Sequence, residues 1–319
     1  MDEDSEHAGE SASLARFWTP RHWPAWGLWL WMRLNAALPL RLALAIHRPV
    51  GKALYRFAPK MRRVVHRNLE ICFPDLNSAA IEKLAKRQFE ALAMSIPECA
   101  AAWLGHEVPG RYEIIGVEHL DAAVARGKGA LLYTGHFTPL DICGAAFKRL
   151  GPLYAAMISH RSSPVLDELQ RRGRARNSHE LIASDSVRSL LKFLRRNGVV
   201  WYAPDLAYRE GQLMPFFGEP AMTNIATSKI ARMSGAAVLP YQYRRIAGAR
   251  YEIRIYAPLE GFPSDDPVAD TARLVTFLEQ FIRDAPEQYQ WVHKRFRWRP
   301  PELPDPYAKG AGRPASGAL

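Results

Sequence analysis

Within the stretch TGHFTPLD, His136 is followed five residues later by Asp141. Within this stretch, these are the two residues whose types could move a proton near neutral pH. An imidazole titrates around pH 6.5, and a carboxylate that fixes one ring nitrogen leaves the other free to act as a base. Five residues is not a spacing that stacks side chains on a helix, so the pair must span a break in structure. The residues before it read as a buried strand, Ala130-Leu131-Leu132-Tyr133, and Thr138-Pro139 predicts a helix N-cap followed by proline in the first helical position. Asp141 then falls in the first turn, from where it could reach a ring nitrogen of His136. The competing reading makes Asp141 only the capping-box partner of Thr138, with His136 satisfying loop amides.

Other chemistries lack their parts. The sequence has no G-x-S-x-G elbow, no H-E-x-x-H and no complete P-loop, and GKG at 127–129 is only a fragment of a dinucleotide fingerprint. Cys72, Cys99 and Cys143 are odd in number and show no C-x-x-C spacing, which argues against a disulfide framework and a zinc cluster and fits a reducing compartment. No metal and no cofactor are expected. A histidine–aspartate pair without an evident serine or cysteine nucleophile suits direct transfer, the histidine deprotonating an acceptor hydroxyl as it attacks an activated acyl group. A thioester is a fitting donor, because a thiol of pKa about 8.5 leaves with little help.

Alternating elements must position this pair. YEIIGV from Tyr112, GALLYTG, GPLYAAMIS, GVVWYAPD, AAVLPYQYR and YEIRIYAPL read as strands, separated by helical patterns at 118–126, 139–150, 164–175, 185–197 and 224–234. The expectation is an α/β fold, a mostly parallel central sheet flanked by helices, whose loops after the strand C-termini form the ligand crevice. Residues 78–104 are a helical lead-in with a kink or boundary at Pro97, and the chain from Pro300 reads as unstructured.

The N-terminal region carries a second signal. Residues 1–15 are polar and acidic and read as disordered, and the segment 16–60 is rich in tryptophan but interrupted at Arg33, Arg41 and Arg48, too often for the roughly 18 apolar residues a membrane span needs. On one helix those arginines share an arc, which predicts a helical anchor lying in a membrane interface rather than crossing it. An aromatic core helix followed by a solvated basic turn is the alternative. The net charge of +11 favours anionic partners such as anionic lipid, nucleic acid or an acidic carrier protein, without choosing among them.

Taken together, the pieces FWTPRHWPAWGLW, RRVVHRNLEICFPDL, RQFEALAMSIPE, TGHFTPLD, HRSSPVLDELQRRGRAR, GVVWYAPD, FFGEPAMTNIATSKIARMSGAAVLP and EQYQWVHKRFRWRPPE, in this order over about 17–302, resemble the bacterial lipid A biosynthesis acyltransferases of the lauroyl/myristoyl type, within the lysophospholipid acyltransferase superfamily. The resemblance implies transfer of a fatty acyl chain from acyl carrier protein, at the cytoplasmic face of the inner membrane, to a hydroxyl of a lipid A precursor glycolipid. It implies no nucleic-acid partner and no covalent acyl-enzyme. His136 would be the general base and Asp141 its orienter. Arg161 aligns with a family arginine and would stabilise an oxyanion or a phosphate, a surface salt bridge being the other reading. Asp205 would position the acceptor or Arg161, or cap a helix. Arg174 and Arg176, with Arg171 and Arg172, would meet lipid A phosphates or the carrier protein, unless they form a solvated helix face. Thr223 and Asn224 read as a helix cap, and Arg67, Asn68 and Glu70 belong to the family signature without an assigned mechanism. Ala207 stands where many members carry a second acid. The organisation expected is a disordered 1–15, an anchor at 16–60, an acyltransferase domain at 61–302 and a flexible tail at 303–319. The rivals are an acyltransferase with another acceptor, such as a mannosylated phosphoinositide, an ornithine lipid or a lysophospholipid, and a basic non-enzymatic protein binding membranes or nucleic acid.

Overall fold

A computed structural model of the chain describes residues 17–105, 110–148, 150–159 and 163–308. Four helices come first: α1 (Trp23–Ala36), α2 (Leu40–Phe57), α3 (Pro59–Cys72) and α4 (Ser78–Leu104). Strands and helices then alternate through β1 (Tyr112–Ile115), α5 (Val117–Ala125), β2 (Ala130–Tyr133), α6 (Leu140–Phe147), β3 (Tyr154–Ile158), α7 (Pro164–Asn177), β4 (Glu180–Ala183), α8 (Val187–Arg195) and β5 (Val199–Tyr202). A hairpin of β6 (Gln212–Phe216) and β7 (Glu219–Thr223) precedes α9 (Ala226–Ser234), β8 (Ala237–Arg245), β9 (Tyr251–Ile255) and α10 (Pro267–Asp284).

Seven strands form one sheet in the order β1-β9-β8-β2-β5-β3-β4, and only the β8–β9 pairing is antiparallel. Strand β2 lies in the middle, its four residues Ala130 to Tyr133 all buried, as expected of a strand covered by helices on both faces. The expected α/β architecture is therefore present. The strand β4 and the β6–β7 hairpin were not foreseen. The hairpin's QLMPF and EPAMT carry prolines and little alternation, so their strand signal is weak.

Three local expectations need correction. Pro97 does not end its helix: α4 runs on to Leu104, held by packing against the core. The chain after Pro300 is anchored as far as the described residues reach, because Tyr307 donates to Asn68 Oδ1 (2.6 Å) and the carbonyl of Pro306 accepts from Arg67 Nε (2.7 Å). Residues 1–16 and 309–319 lie outside the described residues, and so do most of the expected disordered terminus and tail. Finally, the arginines of the N-terminal segment do not share one helix. The chain breaks before Pro39, leaving Arg33 on α1, where it stacks over Trp29, and Arg41 on α2, where it donates to the carbonyl of Gly248 (2.9 Å).

Among the described residues no helix is long and apolar enough to cross a membrane. Helix α1 packs one side, through Ala25, Trp26 and Trp29, on Val165 and Leu169 of α7. Helix α2 lies so close along α4 that a Cβ on Gly51 would stand 2.5 Å from the backbone of Glu90. These two helices leave many large apolar side chains outward, among the exposed cations Arg33, Arg41, Arg48, Lys52 and Arg56: Trp23 is 62 % exposed and Phe57 79 %, with Leu30, Trp31, Leu34, Leu42, Ile46 and Val50 also open to solvent.

Candidate active site

The in-register pairing of β2 with β5 sets the site. Tyr133 pairs with Tyr202, and three residues beyond each strand end stand His136 and Asp205. The two loops leave the sheet side by side, tied at their roots by Thr134 N–H donating to the Tyr202 carbonyl (3.0 Å). Asp205 then holds His136 twice: its Oδ1 lies 2.6 Å from Nδ1 of the ring, and its Oδ2 accepts the backbone N–H of His136 (2.9 Å). Gly135 makes this approach possible, since a Cβ there would meet Leu278 at 2.6 Å and Asp205 Oδ2 at 3.1 Å.

Burial and charge fix the tautomer. The Asp205 side chain is fully buried and that of His136 is 29 % exposed. Burial alone would raise the carboxyl pKa, but the attraction of the imidazole, the hydrogen bonds from His136 and one from the Tyr289 hydroxyl outweigh it and hold Asp205 below the usual carboxylate value. An ionised carboxylate can only accept, so Nδ1 carries the proton, and in the neutral ring Nε2 is left with its lone pair. This is the arrangement of a general base with its orienting acid.

Asp141 is not that acid. The expectation that it reaches the ring across the turn is overturned, because its carboxylate is turned to Arg174 of α7 (2.8 and 3.4 Å), to the indole N–H of Trp103 (3.2 Å) and to the Cys99 thiol (3.5 Å). A guanidinium fork outcompetes an imidazole for a buried carboxylate. The pairing more than offsets burial and lowers the Asp141 pKa. Nor does Thr138 cap α6: the helix starts at Leu140 without a side-chain cap, and Thr138 is held through its backbone N–H, which donates to the carbonyl of Gln288 (2.7 Å).

Arg174 therefore serves Asp141 and the carbonyl of Met157 (2.7 Å), and its side chain is only 16 % exposed, which does not fit a phosphate-binding surface arginine. Arg171 and Arg172 both pair with Glu168. Arg176 is exposed, and with Arg172 it lines a cavity of about 280 Å³ whose other walls are Trp29, Met32, Trp103, Leu104, Leu169 and Gly173. Arg161 lies outside the described residues. Thr223 ends β7, donates to the carbonyl of Ala221 and accepts from Arg295 (2.7 Å), so it caps nothing; Asn224 Oδ1 accepts the N–H of Ala226 (2.8 Å), but the residue at the cap of α9 is Ile225, without a side-chain bond.

Sequence reasoning missed the residues that brace the histidine loop. Tyr243, from β8, donates its hydroxyl proton to the carbonyl of Gly135 (2.8 Å) and accepts the N–H of Phe137 (3.1 Å), holding the residues on either side of His136. The segment 288–290 flanks the same loop, with Gln290 N–H donating to the carbonyl of His136 (2.9 Å). The missed pairing did have a sequence signal: LLYTGH and VWYAPD each place a titratable residue three positions after a strand tyrosine. No group of three or more metal-ligating side chains occurs among the described residues. Burial pushes the thiols of Cys72, Cys99 and Cys143 up, away from nucleophilic use.

Comparison with known proteins identifies the family. The family model of the bacterial lipid A biosynthesis acyltransferases matches residues 12–298. The chain is 33 % identical to a lipid A biosynthesis lauroyltransferase of Escherichia coli K12, over 90 % of this chain and 96 % of the relative. It is 31 % identical to the palmitoleoyltransferase of the same organism, over 89 % and 94 %, and 24 % identical to its myristoyltransferase, over 91 % and 92 %. With a matching family model over most of its length and a mostly parallel α/β sheet that brings a histidine and an aspartate together at its strand ends, the chain belongs to the bacterial lipid A biosynthesis acyltransferase family.

Proposed function

We propose that the protein transfers a fatty acyl chain from an acyl carrier protein thioester to a hydroxyl of a lipid A precursor, with His136 as general base and Asp205 as its orienting acid. The observation that carries the mechanism is the 2.6 Å contact between His136 Nδ1 and a buried Asp205 kept ionised. His136 Nε2 takes the acceptor proton as the hydroxyl oxygen attacks the thioester carbonyl, and Asp205 stabilises the imidazolium that forms. As the tetrahedral intermediate collapses, the C–S bond breaks and the sulfur leaves as a thiol carrying the proton from His136. The ester is formed without an acyl-enzyme, in keeping with three thiols that burial keeps neutral.

The net charge of +11 suits an acidic carrier. The exposed apolar and cationic side chains of α1 and α2 suit the headgroup boundary of the cytoplasmic leaflet, where tryptophans settle and a glycolipid acceptor is within reach. The test is a reaction of purified enzyme with acyl carrier protein thioester and a lipid A precursor, read by mass spectrometry. The expected result is one added acyl group and its loss in His136→Ala. Wild-type turnover in that variant would refute the mechanism.

A further inference from the structure

The segment that braces the catalytic loop also delivers a second imidazole to it. The His293 ring lies with its centroid 6.3 Å from that of His136, the planes inclined at 60°. Nδ1 of His136 is turned to the fully buried Asp205, and the exposed His293 stands beside the same imidazole. That separation is one a single substrate group can bridge with a hydrogen bond to each ring.

The backbone that carries His293 is fixed far more firmly than an exposed residue requires. Asn68 of α3, fully buried, donates from Nδ2 to the carbonyls of both Trp291 (2.7 Å) and His293 (2.8 Å), and its Oδ1 accepts from the Tyr307 hydroxyl (2.6 Å). On the other side Tyr289 pairs with Phe137 and Gln290 with His136. A side chain from another helix thus grips the carbonyls at Trp291 and His293, while the residues before them are bonded to the catalytic loop itself. A solvated surface histidine would gain nothing from such bracing, whereas a group that must meet a reacting atom needs it.

We infer that His293 is a further catalytic residue, donating a hydrogen bond to the thioester carbonyl oxygen as it becomes the oxyanion, and that Asn68 is the positioning residue that aims it. This rests on the acyl-transfer reading above. With the acceptor oxygen on His136 Nε2, the oxygen of the carbonyl under attack is the substrate atom next in line, and an imidazole N–H beside it stabilises charge that develops only in the transition state. The proton stays on His293, so the balance of the reaction is unchanged. A sugar phosphate would lie several bonds away, and a residue serving it would not need to face the base.

The experiment compares wild type, His293→Phe, which keeps a ring, and His293→Gln, which keeps an N–H donor, in steady-state kinetics with both substrates varied. Because the side chain is exposed, both variants should fold with unchanged melting temperature. His293→Phe should lose on the order of 10²–10³ in kcat, the cost of one oxyanion donor, with KM values nearly unchanged. His293→Gln should recover part of that loss. Asn68→Ala combined with His293→Phe should be no slower than His293→Phe alone. Wild-type kcat in His293→Phe, a loss confined to KM, or a Gln variant no better than Phe would each overturn the inference while the wild type still transfers acyl groups. An inactive wild type would instead overturn the reading beneath it.

Discussion

At the scale of single residues, Asp205 and Asp141 hold different posts, and substitution should separate them. Asp205→Asn keeps the shape but removes the charge that holds Nδ1 protonated and stabilises the imidazolium. We expect kcat to fall on the order of 10³–10⁴-fold with the circular dichroism spectrum intact, the size of effect that loss of an orienting carboxylate produces in a triad; a loss under tenfold would remove Asp205 from the mechanism. Tyr243→Phe is the milder case. Burial keeps its hydroxyl protonated, and that one group both donates to Gly135 and accepts from Phe137. Its loss leaves one buried acceptor and one buried donor unpaired, a cost of about 1–3 kcal/mol each if nothing relaxes. A tenfold drop in kcat at unchanged KM is expected, and a melting shift with full activity would make Tyr243 a core residue only.

At the scale of elements, Asp141 ties three helices: its own α6, α7 through Arg174 and α4 through Trp103. Removing one partner of a buried ion pair strands the other, so Asp141→Asn should cost about 3 kcal/mol, the low end for such pairs because Arg174 keeps the carbonyl of Met157. The Asp141 pKa is lowered in the folded protein, so its stabilisation is fully present above the unfolded value of about 3.9 and is lost as pH falls through the lower folded value. Thermal melts should therefore show the wild type losing its advantage over Asp141→Asn below about pH 4; an advantage that persisted undiminished to pH 2 would mean the carboxylate is not what matters. This element also marks the limit of what the sequence discloses. The six strands with clear apolar runs, from YEII to YEIRI, and the helices between them were legible because period and turn residues agree locally. His136 was legible as a strand-end residue. Its partner was not, because H-x-x-x-x-D is a local pattern whereas the pairing with Asp205 follows from the register of β2 and β5, which sequence spacing does not encode. Asn68 and Tyr307 were opaque for the same reason, meeting from opposite ends of the chain.

At the scale of the whole molecule, the N-terminal helices decide how the enzyme would meet a lipid substrate. Helices α1 and α2 are separated by a break at 37–39, and neither is long and apolar enough to cross a bilayer, yet Trp23, Leu30, Trp31 and Leu34 on one and Leu42, Ile46, Val50 and Phe57 on the other are exposed. Leaving so many large apolar groups in water is costly at roughly 25 cal/mol per Å², and driving Arg33, Arg41 and Arg48 through hydrocarbon would cost about 2.5–3.5 kcal/mol for each central arginine. Lying in the headgroup boundary avoids both costs, since the indoles sink to headgroup depth and the guanidinium groups meet lipid phosphate. Replacing Trp23, Leu30, Trp31 and Leu34 with serine should then shift the protein from vesicles to the soluble fraction and lower turnover of membrane-embedded acceptor, while turnover of detergent-dispersed acceptor is kept. The interfacial placement proposed here predicts that the segment does not cross. In intact spheroplasts, Leu14→Cys should be protected from an impermeant thiol reagent and become labelled only after lysis, and labelling before lysis, with the catalytic domain still protected, would show that the segment passes through the membrane.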